Sequence, residues 1–134
     1  MAAQPFDWTS YYTLANELAG RADEASLRSA ISRAYYYVYH LALARAAGNG
    51  FEILPGEGSH TQLWRNYSLS PELTCRKLAE IAKRLKEKRE RADYHERYPR
   101  INDEIPGMLT DAQTFAARLV ALPARFPDPR HVRR

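Results

Sequence analysis

Apolar residues recur at three- and four-residue intervals along almost the whole chain, the spacing of helices that each bury one face. No strand pair and no internal repeat stands out against that pattern. Asp7 or Thr9 can cap a first helix that ends at Gly20 and carries Trp8, Tyr11, Leu14, Ala15 and Leu18 on one side. A second helix is expected from near Asp23 to Gly48, with Leu27, Ala30, Ile31, Ala34, Val38, Leu41 and Ala42 inward. At about 25 residues it would span roughly 37 Å, enough to run the length of a small bundle. "GNGFEILPGEGS" then reads as a loop, and a short helix follows from His60 to about Tyr67. "SPE" at Ser70 to Glu72 signals the start of a fourth helix, with Leu78, Ile81, Ala82 and Leu85 inward, that continues to Ala92 or Tyr94 and is stopped by Pro99. Asn102 can cap a fifth, ending near Leu122, with Pro106 in its first turn. Four longer helices plus one short one indicate an all-α, antiparallel up-and-down helical bundle.

Composition narrows this only a little. A chain of 134 residues suits one domain, here residues 1–124, followed by a basic and flexible tail over 125–134, "RFPDPRHVRR". Hydrophobic residues at 45% and charged ones at 27% are ordinary for a folded domain. The single cysteine, Cys75, has no disulfide partner in the chain, which fits a reducing compartment. With neither a signal-peptide pattern nor an apolar run of membrane-spanning length, a cytoplasmic protein without membrane contact is expected. A net charge of +4 permits an anionic partner without requiring one.

The sharpest feature lies in "KEKRERADYHERYP", Lys86 to Pro99. Extending the inward stripe of the fourth helix past Leu85 by one turn lands on Arg89, then Ala92. A guanidinium on a core face needs a carboxylate, a carbonyl, a wet cleft or an anionic ligand. It is therefore either a paired structural residue or a binding group. Beside it, Lys83–Glu87, Lys86–Glu90 and Glu87–Arg91 are four-residue pairs of opposite sign. Arg84, Lys88 and Arg91 form a basic stripe ending in His95, either solvated or able to track an RNA backbone. His95 can transfer protons near neutral pH, and Arg89 can stabilise negative charge on a phosphate. Residues six apart on an unbroken helix point about 120° apart. Convergence of the two thus requires either a deformed helix at "ADYH" or a second subunit.

Other chemistries find less support. The glycine-rich loop follows no strand and lacks a closing Gly-Lys-Ser/Thr, so it is no phosphate loop. The four histidines share no metal-ligand spacing, and no metal or other cofactor is expected. No local nucleophile signature supports acyl transfer. Tyr35, Tyr36, Tyr37 and Tyr39 cover most of a helix circumference, which favours core or interface packing over base stacking. His40 reads as a packing histidine.

Two segments resemble the HEPN family of small helical bundles from prokaryotic toxin-antitoxin and defence loci, over roughly residues 10–120. "SAISRAYYYVYHLALA" is similar to the "RAYYAxFHxA" helix of the branch often paired with small nucleotidyltransferases, and "RERADYH" to that branch's "RxxADY". "GEGSHTQLW" resembles a histidine-containing loop in the same branch, which places His60 in the pattern. The resemblance implies a homodimer that cuts single-stranded RNA without metal at a composite site. Its catalytic motif, an arginine and a histidine separated by four to six residues, falls on Arg89 and His95, with Glu90 at the polar position after the arginine. Asp93 and Tyr94 would then support that pair, and Arg33 and Tyr36 would lie near the cleft. The family also implies a nucleotidyltransferase antitoxin as a candidate partner, which in some systems modifies a tyrosine two residues beyond the histidine. Here Arg97 holds that place, and Tyr98 comes one later. The rival expectation is a non-catalytic module that docks such a partner or binds a nucleotide.

Overall fold

The computed structural model describes residues 4–132, which form five α-helices and no strand. They are α1 (Thr9–Ala19), α2 (Glu24–Gly48), α3 (Ser59–Ser68), α4 (Leu73–Tyr94) and α5 (Ile101–Ala121), followed by a 3₁₀ turn at Pro129–His131. At the starts of α1, α2 and α4 side-chain oxygens accept free N–H groups of the first turn, whereas α3 and α5 start without such a cap. The Asp7 carboxylate accepts from the Thr9 N–H at 3.0 Å, and Asp23 accepts from the Ser26 N–H at 2.9 Å.

Two starts differ from the sequence expectation. Ser70 does not cap α4 directly; its Oγ accepts from the Glu72 N–H at 3.1 Å, and the Glu72 carboxylate accepts from the Thr74 N–H at 3.3 Å. The serine shapes a turn and the glutamate caps the helix two residues later. Nor does Asn102 cap α5, which begins at Ile101 directly after Arg100, a non-glycine residue at φ 61°. Pro106 consequently sits in the second turn, where its missing N–H leaves the exposed Asn102 carbonyl without its helical donor.

α2 packs against α1, α4, α5 and, less extensively, α3. It is buried around most of its circumference, which explains why Tyr35, Tyr37 and Tyr39 can all lie inside while only Tyr36 of that run is half-buried. Ile31, Ala34, Val38 and Ala42 meet Leu78 and Leu85 of α4, Met108 and Phe115 of α5, and Leu63 of α3 in one core. On α1 the inward face is rotated from the expected one. Leu14 is exposed, whereas Tyr12 packs against Tyr37 at 5.2 Å between centroids and donates from its hydroxyl to the Leu109 carbonyl at 3.2 Å.

Two arginines of α2 hold the C-terminal ends of its neighbours, where carbonyls lack helical donors. Arg28 Nη1 donates to the carbonyls of Ala92 at 3.0 Å and His95 at 2.6 Å, and its Nη2 to that of Glu96 at 3.1 Å. Arg45, near the other end, donates to Leu119 at 2.6 Å and Phe126 at 3.1 Å. α4 therefore runs against α2, and α5 runs along it. The segment expected to be a flexible tail starts out docked. Asn49 Nδ2 donates to the carbonyls of Ala124 and Pro127, and Pro127 and Asp128 are buried. Residues 133 and 134 of that tail lie outside the described residues. Among the described residues no helix is long and apolar enough to cross a membrane.

Candidate functional site

Arg89 lies where the stripe of α4 places it, one turn beyond Leu85 and only 7% exposed. Among the described residues its buried Nε–H has no partner, and Nη1 stands 3.8 Å from Asp93 Oδ2, an ion pair too long for a hydrogen bond. Aromatic faces supply the rest of its surroundings. The guanidinium carbon is 5.2 Å from the Tyr35 ring centroid, 5.6 Å from that of Tyr36 and 6.0 Å from that of Tyr94, within cation–π range.

Tyr36 also faces Arg33, whose guanidinium carbon is 5.7 Å from its centroid and 4.8 Å from that of Tyr11. Arg33 Nη2 reaches Ser32 Oγ at 3.4 Å, and that hydroxyl donates to Asp93 Oδ2 at 3.3 Å. Arg33, Tyr36, Arg89, Asp93 and Tyr94 thus come together. Ser32, Arg33 and Asp93 line a cleft of about 610 Å³ between α1, the first half of α2 and the end of α4. Asp93 is the one carboxylate near both arginines, at 3.8 Å from Arg89 and linked to Arg33 only through the Ser32 hydroxyl.

His95 is placed differently. α4 continues unbroken through Tyr94, and His95 follows it as an extended, exposed residue. Its backbone N–H donates to Arg91 at 3.0 Å and its carbonyl accepts from Arg28. Among the described residues no hydrogen bond or ion pair joins its imidazole to Arg89. Tyr94 beside it is 76% exposed. Tyr98 is buried, and its hydroxyl donates to the Glu104 carboxylate.

The basic stripe of Arg84, Lys88 and Arg91 lies along α5. Arg84 Nε is 3.4 Å from Asp111, and Arg91 Nη1 is 3.7 Å from Glu104. Acidic residues of α5 therefore offset two of the three charges first considered for RNA, and Lys88 is half-buried. Of the three four-residue pairs read from the sequence, Lys86–Glu90 forms, at 3.7 Å.

The histidine that borders the same tyrosine rings as Arg89 is His60, at the start of α3. Its Nδ1 lies 2.5 Å from the Tyr35 hydroxyl, which accepts from the Trp64 indole N–H at 3.0 Å. Tyr39 stacks on the ring at 4.3 Å between centroids. Burial, and then the charges of Arg89 and Lys86, push its pKa down to about 4. Burial raises that of Tyr35. His40 stacks on Trp8 at 3.4 Å, as a packing histidine should. Sequence periodicity gave His60 little weight because its partners lie 25 or more residues away or on another helix; the "GEGSHTQLW" likeness was its signal. Among the described residues no three of His, Cys, Asp or Glu gather as a metal-ligand set.

No family model, no curated protein and no solved structure matches this chain.

Proposed function

We propose that this chain is an antiparallel, HEPN-like bundle acting as a metal-independent endoribonuclease, with its site shared between two copies. One observation carries the reading: Arg89 is buried among aromatic rings behind Asp93, which lines the cleft, with an Nε–H unpaired among the described residues and that carboxylate 3.8 Å away. A guanidinium left short of hydrogen bonds in that setting suits a phosphate, which accepts in the same fork geometry. Arg89 and Arg33 hold the scissile phosphate, and Arg89 stabilises the charge that builds on its non-bridging oxygens. The substrate's 2′-oxygen attacks phosphorus as a base removes its proton, the 5′-oxygen leaves and is protonated, and a 2′,3′-cyclic phosphate remains. His95, at the exposed end of α4, serves this proton transfer from the second copy, while Asp93 and Tyr94 orient the arginine. A nucleotidyltransferase antitoxin in the same cytoplasm completes the proposed system.

End-labelled single-stranded RNA incubated in EDTA tests this. Cleavage by the parent and its loss in folded Arg89→Ala and His95→Ala proteins is the expected result. Full cleavage by both variants overturns it.

A second reading, a non-catalytic module that binds a nucleotide or RNA, is favoured by the separation of His95 from Arg89 within one chain. It predicts RNA or nucleotide binding that depends on Arg89, with no cleavage and no effect of His95→Ala.

A further inference from the structure

Trp64, Tyr35 and His60 form a directed chain of hydrogen bonds. An indole N–H can only donate, so the Tyr35 oxygen accepts from Trp64 at 3.0 Å. The Tyr35 oxygen could accept a second hydrogen bond, but its own hydroxyl hydrogen has no other acceptor among the described residues, which assigns it to His60 Nδ1 at 2.5 Å. Nδ1 is thereby the unprotonated nitrogen, and the ring proton sits on Nε2. Tyr39 fixes the plane of the imidazole from its face, and the Tyr39 hydroxyl is itself tied to Ser59 Oγ at 2.9 Å, one residue before His60. Packing alone requires neither a fixed tautomer nor a locked ring. His60 nevertheless remains only half-buried, and among the described residues its one side-chain hydrogen bond is the one at Nδ1.

The His60 ring centroid and the Arg89 guanidinium carbon lie 5.9 and 5.6 Å from the Tyr36 centroid, so both border the same aromatic ring. Both also border Tyr35, whose centroid is 5.5 Å from that of the His60 ring and 5.2 Å from the Arg89 guanidinium carbon. We infer that His60 Nε2–H and the Arg89 guanidinium form a subsite for one phosphate group of RNA, with His60 as a neutral hydrogen-bond donor and Tyr35 as its positioning residue. This rests on the RNA reading above and adds a contact that the Arg89–His95 motif does not contain. Lys86, Arg89 and His40 face the imidazole with positive or ionisable groups and Glu90 opposes them, which keeps the ring uncharged at neutral pH. Because Nδ1 is occupied by Tyr35, His60 binds and does not act as the base; proton transfer stays with His95.

The test uses the full chain and inorganic phosphate, followed by ¹⁵N NMR of the histidine rings, with RNA cleavage measured in parallel. The wild-type ring is expected in the Nε2–H form, with an Nε2 resonance that shifts and saturates as phosphate is added. His60→Ala is expected to weaken phosphate binding about tenfold, and His60→Gln to recover part of it through its amide N–H. Tyr35→Phe is expected to mix the two tautomers and weaken phosphate about threefold in a folded protein. An Nδ1–H ring, or a His60 resonance unmoved by phosphate in the wild type, overturns the inference whether or not RNA is cut. Phosphate affinity unchanged in His60→Ala does the same while leaving the Arg89 reading intact. A saturating His60 response with no RNA cleavage removes the ribonuclease reading and keeps the subsite.

Discussion

Replacing Arg28 by alanine removes the group that closes the end of α4, and the size of the effect can be worked from its bonds. Three carbonyls, of Ala92, His95 and Glu96, accept from it at 2.6–3.1 Å, while a fourth contact, to Arg91 at 3.4 Å, is long. A hydrogen bond from a charged donor contributes about 1.5–3 kcal/mol at most. Water replaces part of it here, because the His95 and Glu96 residues are exposed. Counting roughly 0.5–1 kcal/mol for each of three bonds, and about 0.5 kcal/mol for a cation at a helix C-terminus, gives a loss of about 2–3.5 kcal/mol. The ion pair with Glu24 at 3.2 Å adds little, since the glutamate is solvated. Urea unfolding followed by circular dichroism measures the total, and hydrogen exchange of amides 92–98 locates it. Arg28→Lys should restore less than half, because one ammonium cannot span three carbonyls. A loss below about 0.5 kcal/mol, or exchange unchanged at the end of α4, refutes the account. The same fraying should loosen Asp93 and Tyr94, so any activity ought to fall with stability in this variant.

Two further outcomes follow from the same structure. The His60 pKa lies near 4 in the fold against about 6.5 in the unfolded chain, so the unfolded state binds the proton first as pH falls. Stability from this group is complete above about pH 6.5 and is lost as pH drops toward 4. Discounted for partial exposure, the difference between wild type and His60→Gln should be about 1–2 kcal/mol across that window, measured by urea titrations at pH 7.5 and 4.5; equal slopes in both proteins would count against it. Asn66 is 3% exposed, and both polar atoms of its amide are buried without partners among the described residues, so Asn66→Leu should raise stability by about 1 kcal/mol, read as a higher urea midpoint with unchanged slope. A destabilised Asn66→Leu protein would mean that a bound water or a tight fit makes the amide necessary.

The period of the sequence determined the helices and one property of the site. Spacing of three and four fixes which residues share a helix face before any tertiary contact exists, so the burial of Leu78, Leu85, Arg89 and Ala92 on one stripe of α4 was legible. The turn around Gly50 and Gly56 was legible too, since both adopt positive φ where other residues are strained. Helix ends were less so, because several polar residues near each end compete for the same few N–H groups, and Glu72 prevailed over Ser70. What one helix presents to another left no local trace. The pairing of Arg84 with Asp111, the hold of Arg28 on the end of α4 and the chain from Trp64 through Tyr35 to His60 join residues 25 to 68 positions apart. Their geometry depends on how whole helices pack, on rotations such as the one that exposes Leu14 and buries part of Tyr12. Sequence thus determined that an arginine would face the core at the end of α4, and packing decided that His60, not His95, is the histidine that borders the same tyrosine rings within one chain.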